Sequence, residues 1–492
     1  MFKMQKKQQF PPIGWLWKDY SRAMAWYSGN AAEISRVEAG QIGDRFWNSK
    51  EAIKLHVPIA ADIASLSAGM IFSDSPAITC KHERTHERIE EIFTNGGAYS
   101  VLLQAAELCS VCGGVFLKWS WDISDGRPIL SAVPADCGLP KWKGDRVHEI
   151  KLWSIVREDE DTGYFWRLQE TYTDDGHILS ELFRGTSTEL GDAQPLTSIP
   201  ETEEISPDAN SGTGMMLAFY VPNMLPNRNR PHSRFGRSDF DSLYGLMDAL
   251  DEAYSAMQRE TRMTKTTVIV PAEYLTRKQN IFGPNSPYCK PDQWVYANNS
   301  GAFTALDIDS GLNSNPITVV NPEMRADSRI AVCDDLIKRI FAVAGYAPQS
   351  AGIDIQGSAE SGTALSVRER KTIRTSEIKK THWWHAVNDI IRAMLKLDSV
   401  VFRSGVDPNA DFSVELPSNT QPDIGQLAEI IEQLERAGAV SVETKVAMLH
   451  PDWDEDKRAK EVERIHRDHG NAAQDSLDNI INSKNPPEGD EE

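Results

Sequence analysis

An α+β architecture built from more than one module is predicted by three features of the sequence. The hydrophobic period changes from helical to alternating and back, turn dipeptides separate the alternating segments, and several apolar helical stripes are long enough to be rods. With 492 residues, 40% of them hydrophobic, the chain can bury one large core or two to three smaller ones. Thirteen Trp, sixteen Phe and twelve Tyr argue against disorder over most of its length.

The stretch from about 15 to 110 reads as mainly helical. Ile59, Ile63, Leu66 and Met70 fall at helical spacing, as do residues around Ile89–Phe93. The apolar run Val57 to Phe72 contains Asp62 and is too short to span a bilayer, so it is expected to be a buried helix. From about 113 to 225 the period becomes two. Strands are predicted at Val115–Trp121, Ile129–Val133, Glu149–Arg157, Tyr164–Tyr172, His177–Phe183 and Met216–Val221, with turns at Asp125-Gly126 and Asp175-Gly176. Together they imply an antiparallel sheet. The Ser/Thr/Glu/Pro-rich stretch 185–213 is expected to be a long mobile surface loop.

Ser238 is placed to cap a helix with Leu243, Leu246, Met247, Leu250, Tyr254 and Met257 on one face, running to about Lys265. Such a helix spans roughly 40 Å. A compact interlude, 267–320, carries short strands at Thr267–Val270, Gln293–Tyr296 and Ile317–Val319. A second helix is predicted from Asn321 (cap), Pro322 and Glu323, with a stripe of Ile330, Cys333, Ile337, Ile340 and Phe341 and an end at Gly345. Two long helices thus flank a small β module and hold it away from the body; the alternative is a helical hairpin inside one globule, with the interlude as an insertion. The Gly/Ser/Ala-rich segment Gly345–Gly362 leads to a third helix, Thr363 to Leu397, roughly 50 Å long. Strands at Val400–Arg403 and Phe412–Leu416 follow. Then come a helical stripe of Ile424, Leu427, Ile430, Ile431 and Leu434 ahead of Gly438, and a last helix over Asp454–His469. Gly470 to Glu492 is polar, contains Pro486-Pro487, and is expected to be a disordered acidic tail.

The formal charge of −20 is the first functional constraint. Proteins that clamp duplex DNA usually present a basic footprint, because cations replace the phosphate counterions. This chain should repel DNA on average, which opposes a repressor or nuclease but not a conduit, where tight binding would stall movement. Six cysteines, Cys80, Cys109, Cys112, Cys137, Cys289 and Cys333, lack framework spacing and suit a reducing compartment. The basic N-terminus has no apolar region behind it, so no signal peptide is expected.

Catalytic motifs are weak. His82-Glu83-Arg84-Thr85-His86 matches H-E-x-x-H, in which two histidines one helical turn apart hold zinc and the Glu activates water. Its flanks oppose that chemistry, since Lys81, Arg84 and Arg88 would disfavour a dication and no third ligand is identifiable beyond Glu107 on spacing. Cys109-Ser-Val-Cys112 has no second pair, and its apolar neighbours suggest packed thiols. No G-x-x-x-x-G-K-[ST] loop occurs, so any ATP-driven step belongs to another protein. No catalytic residue, cofactor or metal is therefore expected. Two basic groupings remain: Arg228, Arg230, Arg234 and Arg237 ahead of the first long helix, and Arg259, Arg262 and Lys265 near its far end. The first is dense enough for an intersubunit or DNA-facing patch; the second also fits helix-end cations matched to the dipole.

Five segments, in order, resemble the portal (head-to-tail connector) family of tailed bacteriophages. Phe235-Gly-Arg-Ser-Asp-Phe, continuing to Tyr254-Ser255, is similar to the family's "G-x-S-D-[YF] … D-x-L-[DN]-x-x-Y-S" signature, and Val268–Pro271 to the strand after it. Val133-Pro-Ala-Asp-Cys-Gly-Leu-Pro-Lys-Trp142 resembles "P-x-x-x-x-P-x-W". Glu360-Ser-Gly-Thr-Ala-Leu365 resembles "S-G-x-A-L", and Gly438-Ala-Val-Ser-Val-Glu-Thr444 resembles "G-x-x-S-x-E-T".

The resemblance implies a portal fold: an α/β wing (1–234), a two-helix stem (235–266 and 321–345), and a small β-containing clip (267–320). It further implies a tunnel loop (346–361), a long tunnel helix with wing return strands (362–416), a helical crown (417–469) and the tail (470–492). It also implies a ring, of twelve subunits in most of the family, around a channel for double-stranded DNA. Implied partners are the large terminase ATPase, a head-completion or adaptor protein, and the major capsid and scaffolding proteins. No membrane is implied. The site would be the portal vertex of the virion, reached by assembly in the host cytoplasm. By carry-over the DNA-facing tunnel loop includes Gln349, Ser350, Ile353, Asp354, Ile355, Gln356 and Ser358, none of them a cation. A zinc hydrolase using His82, Glu83 and His86, or another phage structural protein such as an adaptor or capsid subunit, is the alternative.

Overall fold

The computed structural model describes residues 10–39, 54–263, 326–353, 362–417, 424–450 and 457–467, and strands at 267–271, 276–278, 293–295, 303–306 and 318–320. The chain divides into two units, Met1–Glu360 with Ala364–Pro417, and Ser418–Glu492 with Ser361–Thr363. The architecture is α+β.

In the larger unit, α1 (Gly14–Ser28) turns at Gly29, φ 68°, into α2 (Ala31–Glu38), whose first turn is capped by Asn30 accepting from the Ala32 amide at 3.0 Å. The apolar run read as a buried helix is α3 (Ile59–Ile71), with Ile59, Ile63 and Ala64 buried. After β1 (Ala77–Cys80) come α4 (Glu83–Glu90) and α5 (Ala98–Cys112). Gly97 and Gly113, both left-handed, bound α5, and a Cβ on Gly113 would sit 2.6 Å from the Arg237 carbonyl carbon.

The alternating segments form two antiparallel sheets. One holds β2 (Gly114–Asp122) and β3 (Arg127–Pro134), the other β4 (Gly138–Lys143), β5 (Arg146–Asp159), β6 (Tyr164–Thr173) and β7 (His177–Gly185). The stretch 185–213 is not the mobile loop expected from its composition. β8 (Asp192–Gln194) and β9 (Asp208–Asn210) both pair with β7, and Leu190, Ile199 and Thr202 are buried, so its apolar residues anchor it to the sheet. β10 (Ala218–Pro222) joins β2 on its free edge.

Next, α6 spans Tyr244–Met263. Ser238 does not cap it. Residues 239–243 form turns with Ser242 at φ 70°, and Ser238 Oγ accepts from the Phe240 amide at 3.0 Å; the helix starts later because Asp239 and Phe240 are drawn into the core. The β module carries β11 (Thr267–Pro271), β12 (Thr276–Lys278), β13 (Gln293–Val295), β14 (Phe303–Leu306) and β15 (Thr318–Val320). β11 pairs in parallel with β14 and antiparallel with β15, and β12 pairs with β13. α7 (Ala326–Ala344) packs on α6, with Arg329 Nε 3.1 Å from Glu260 and Cys333, Ile340 and Phe341 buried. The start predicted at Asn321 lies outside the described residues.

The longest element, α8 (Gly362–Leu397), runs about 54 Å. Trp383, Val387, Ile390, Ile391, Met394 and Leu397 are its fully buried face, and Trp119 of β2 donates to the Ile390 carbonyl at 3.0 Å. No strand forms at 400–403. Asp398–Phe402 is a wide helical turn ended by Arg403 at φ 49°, because the buried Asp398 carboxylate is held by Arg88 at 2.9 Å. β16 (Phe412–Glu415) then returns to pair with β1.

The smaller unit holds α9 (Ile424–Arg436) and α10 (Val442–Leu449), joined through Gly438 at φ 62° and capped by Ser441 Oγ accepting from the Thr444 amide at 3.3 Å. Lys445 pairs with Glu435 at 2.7 Å. A further helix, α11, covers 457–467. The acidic tail 470–492 lies outside the described residues. No described helix is long and apolar enough to cross a membrane.

Candidate functional site

The residues that join the two long helices to the body converge on one buried ion pair. Lys379 of α8 and Asp239, ahead of α6, have side chains 1% and 0% exposed and are in direct hydrogen-bonded contact. A bare charge there would be very costly, so each needs a full set of partners. Lys379 Nζ also donates to Ser67 Oγ of α3 at 2.6 Å and to the Tyr346 hydroxyl at 2.9 Å. Asp239 Oδ2 accepts from Ser110 of α5 at 2.6 Å and from Tyr346 at 3.2 Å, and its Oδ1 accepts from Asn223 at 2.8 Å. The Asp239 amide closes the set by donating to the Ser110 carbonyl at 3.0 Å.

Burial alone would raise the Asp239 pKa, but Lys379 outweighs it and holds the carboxyl below its usual range. For Lys379, burial opposes the charge, and Asp239 outweighs that, pushing it up to about 12. Both groups are therefore charged at neutral pH. Nothing in this set reaches solvent, so it ties α3, α5, the strand end at Asn223 and both long-helix bases to α8 rather than doing chemistry.

Two of the quoted motifs meet at Phe235, four residues before Asp239 in the chain. Trp142 packs edge-on against Phe235 with ring centroids 5.0 Å apart, and Tyr220 lies 6.1 Å from Phe235. The motif's Gly236 has no alternative, because a Cβ there would collide with the Gly113 carbonyl oxygen.

Immediately after α7, Gly345 adopts φ 101° and the chain passes along α8. Thr375 Oγ1 donates to the Gly345 carbonyl at 2.8 Å, and Thr372 Oγ1 accepts from the Ala347 amide at 2.7 Å. A short helical turn, Pro348–Ala351, carries Gln349 and Ser350; Ser350 Oγ is 3.0 Å from Thr372 Oγ1. Ile353 packs, partly buried, on the core formed with α6 and α7. Asp354, Ile355, Gln356 and Ser358 lie outside the described residues.

The basic groupings separate. Arg228 is exposed with no hydrogen-bonded partner among the described residues. Arg230 stacks on Trp15 at 3.9 Å and lies 3.7 Å from Asp19. Arg234 bonds the Gly144 carbonyl and Asp145, the latter at 3.1 Å. Arg237 is half-buried against Met224, and burial, reinforced by Arg228, lowers its pKa. This grouping thus spends three of its four cations within the chain. Arg259 sits fifteen residues into α6, about 22 Å from its start, so the second grouping is a separate feature. Of Arg262 the backbone alone is described, and Lys265 lies outside the described residues.

The zinc-protease motif is occupied otherwise. His82 caps α4, its Nδ1 accepting from the Thr85 amide at 3.3 Å and bonding Thr85 Oγ1 at 2.8 Å, while His86 faces Glu90 at 3.8 Å. No group of metal-ligating side chains occurs among the described residues. Cys109 and Cys112 are buried at the end of α5, where burial pushes both thiols up and leaves them unreactive.

Lys379, Ser67, Ser110 and Asn223 were not legible as a site in the sequence. One signal was available: a lysine one turn before Trp383 on the apolar face of a long helix implies a buried counter-charge.

No curated protein matches the chain. The virion of a native gene transfer agent particle contains a chain 11% identical, at TM-score 0.41, over 87% of this chain and 93% of that one. The neck of an empty gene transfer agent particle, computed with C6 symmetry, contains one 10% identical at TM-score 0.44, over 88% and 93%. At such scores neither likeness bears on function. The sequence profile of the phage portal proteins of the SPP1 Gp6-like type matches residues 18–475, nearly the whole chain with the Asp239 motif inside it, and the protein belongs to that family.

Proposed function

We propose that this chain is one subunit of a closed ring of twelve copies, set at one vertex of a phage capsid, through which double-stranded DNA is packaged and ejected. The family match over residues 18–475 is the observation that carries this reading. The chain acts as a structural conduit and performs no catalysis of its own; force comes from a large terminase ATPase. An adaptor or head-completion protein, the major capsid protein and scaffolding protein are its other partners.

In this reading 1–234 and the strand after α8 form the wing, 235–266 and 321–345 the stem, 267–320 the clip, and 417–469 the crown. The segment 346–361 lines the channel, with Gln349, Ser350, Ile353, Asp354, Ile355, Gln356 and Ser358 touching passing DNA. Two physical points support it. Twelve chains at −20 each carry about −240 formal charges, and a wall of like sign keeps a polyanion centred and mobile. Ile330, Val332 and Val343 of α7 remain exposed on the single chain, and a heterologous neighbour in a closed ring would cover them. Arg228, with no partner among the described residues, is the cation of its grouping best placed to meet a neighbouring subunit or phosphate.

The test is a packaging reaction with capsids assembled with and without this protein, supplied with ATPase and DNA. Nuclease-protected DNA that requires the protein is the expected result. Equal protection in its absence would overturn the proposal.

A further inference from the structure

We propose that Thr372 and Thr375 of α8, above the buried Lys379, are positioning residues that set the height at which the chain leaves α7 and so place Gln349 and Ser350. The inference rests on the reading that this segment lines the channel. The three side chains lie three and four residues apart, so they share one face of the helix. All three are buried: Thr372 at 0%, Thr375 at 8% and Lys379 at 1% exposure.

A threonine hydroxyl inside a helix usually bonds the carbonyl one turn back. Thr381 on the same helix does this, donating to the Glu377 carbonyl at 3.1 Å. Thr372 and Thr375 instead bond across to another segment, at Ala347 N and Gly345 O. Lys379 adds a third tie, to the Tyr346 hydroxyl at 2.9 Å. Three consecutive residues, 345 to 347, are therefore fastened to one helical face, like rungs.

Two of the rungs end on main-chain atoms. They fix the path of the segment whatever side chains it carries. The approach also demands its glycine: a Cβ on Gly345 would stand 2.8 Å from Thr375 Oγ1, and φ 101° is foreign to other residues. Ser350, bonded to Thr372 at 3.0 Å, extends the seam to the short helical turn. α8 is one continuous helix whose C-terminal half is buried in the body, so its polar face links the segment to the body.

The experiment replaces Thr372 with Val, which keeps its shape and removes its hydroxyl, and with Ser, which restores the hydroxyl. Full-length protein is assembled into capsids, and three readouts are taken: annular particles by electron microscopy, hydrogen exchange of the 345–350 amides, and nuclease-protected DNA. For Thr372→Val, rings form as in the parent. Exchange at Ala347 quickens about tenfold, as expected for one lost buried hydrogen bond, and protected DNA falls several-fold. Thr372→Ser recovers both.

Parent-level packaging by Thr372→Val would overturn the proposal. So would loss of rings, or failure of Ser to rescue, since either makes the hydroxyl a general support. Gln349→Arg tests the underlying channel reading separately by adding a cation per subunit. If that variant packages like the parent, the channel reading fails whatever Thr372→Val does, and faster exchange at Ala347 still reports the seam.

Discussion

Replacing Lys379 with Met removes the cation from a site where the Asp239 side chain is 0% exposed, and the consequence follows from the remaining partners. Breaking one side of a buried ion pair costs about 3–5 kcal/mol, because the other charge is left without compensation. Ser110, Asn223 and Tyr346 still donate to Asp239. They place the cost near the lower end, about 3 kcal/mol at neutral pH. Urea unfolding followed by tryptophan fluorescence is a suitable assay, since Trp119 and Trp383 are fully buried around this part of α8.

In the parent, Asp239 has a depressed pKa, so its contribution is present above the unfolded value of about 3.9 and is lost as pH falls through the folded one. Lys379 contributes fully below about 10.4 and loses that contribution as pH rises through about 12. The parent is thus flat through neutrality with respect to this pair. Without Lys379, burial dominates and raises the Asp239 pKa, so the variant's deficit shrinks on acidification from pH 7 toward about 5. Asp239→Asn combined with Lys379→Met should recover more than half of the loss, because the double variant buries no charge. A loss below about 1 kcal/mol at neutral pH, with no relief in acid, would refute the account of the pair.

Three further outcomes follow from the same geometry. Gly236→Ala should prevent stable folding of the larger unit, because its Cβ would strike the Gly113 carbonyl; a urea midpoint equal to the parent's would contradict this. Asp241, pushed up to about 6 by burial against the offset of Arg237 and with Asp19 and Asp239 nearby, prefers its proton in the fold. Its contribution is therefore greatest below about pH 4 and falls as pH rises to about 6, so Asp241→Asn should gain about 1–3 kcal/mol at pH 7.5 and flatten that slope. His82→Ala should lose about 1 kcal/mol of helix capping, while His82→Ala with His86→Ala leaves packaging intact and the parent binds no stoichiometric zinc on elemental analysis.

The long periodic elements were legible because their burial pattern repeats locally. The stripe assigned to 363–397 is the helix Gly362–Leu397, and the six alternating segments are strands. Composition misled at 185–213, where a few apolar residues such as Leu190 and Ile199 outweigh a polar majority once a sheet edge is nearby. At 398–402 the β-branched run Val400-Val401 suggested a strand, but a tertiary tie from Arg88 to Asp398 prevailed over local preference. The start of α6 moved for a similar reason, since Ser238 is a good cap only if Asp239 is free to enter the helix. The site itself was half visible. Asp239 lies within a recognisable motif, whereas its partner Lys379 is 140 residues away and Ser67 is 312 from Lys379, distances at which no local pattern speaks. The seam at Thr372 and Thr375 was hidden because threonines in a helix carry no outward sign of which carbonyl or amide they serve.

Electron micrographs of the purified full-length protein at the concentrations of capsid assembly test the central claim most directly. Annular particles with an axial hole, resolving into twelve-fold class averages, are the predicted result. Compact single chains with no annuli would contradict it.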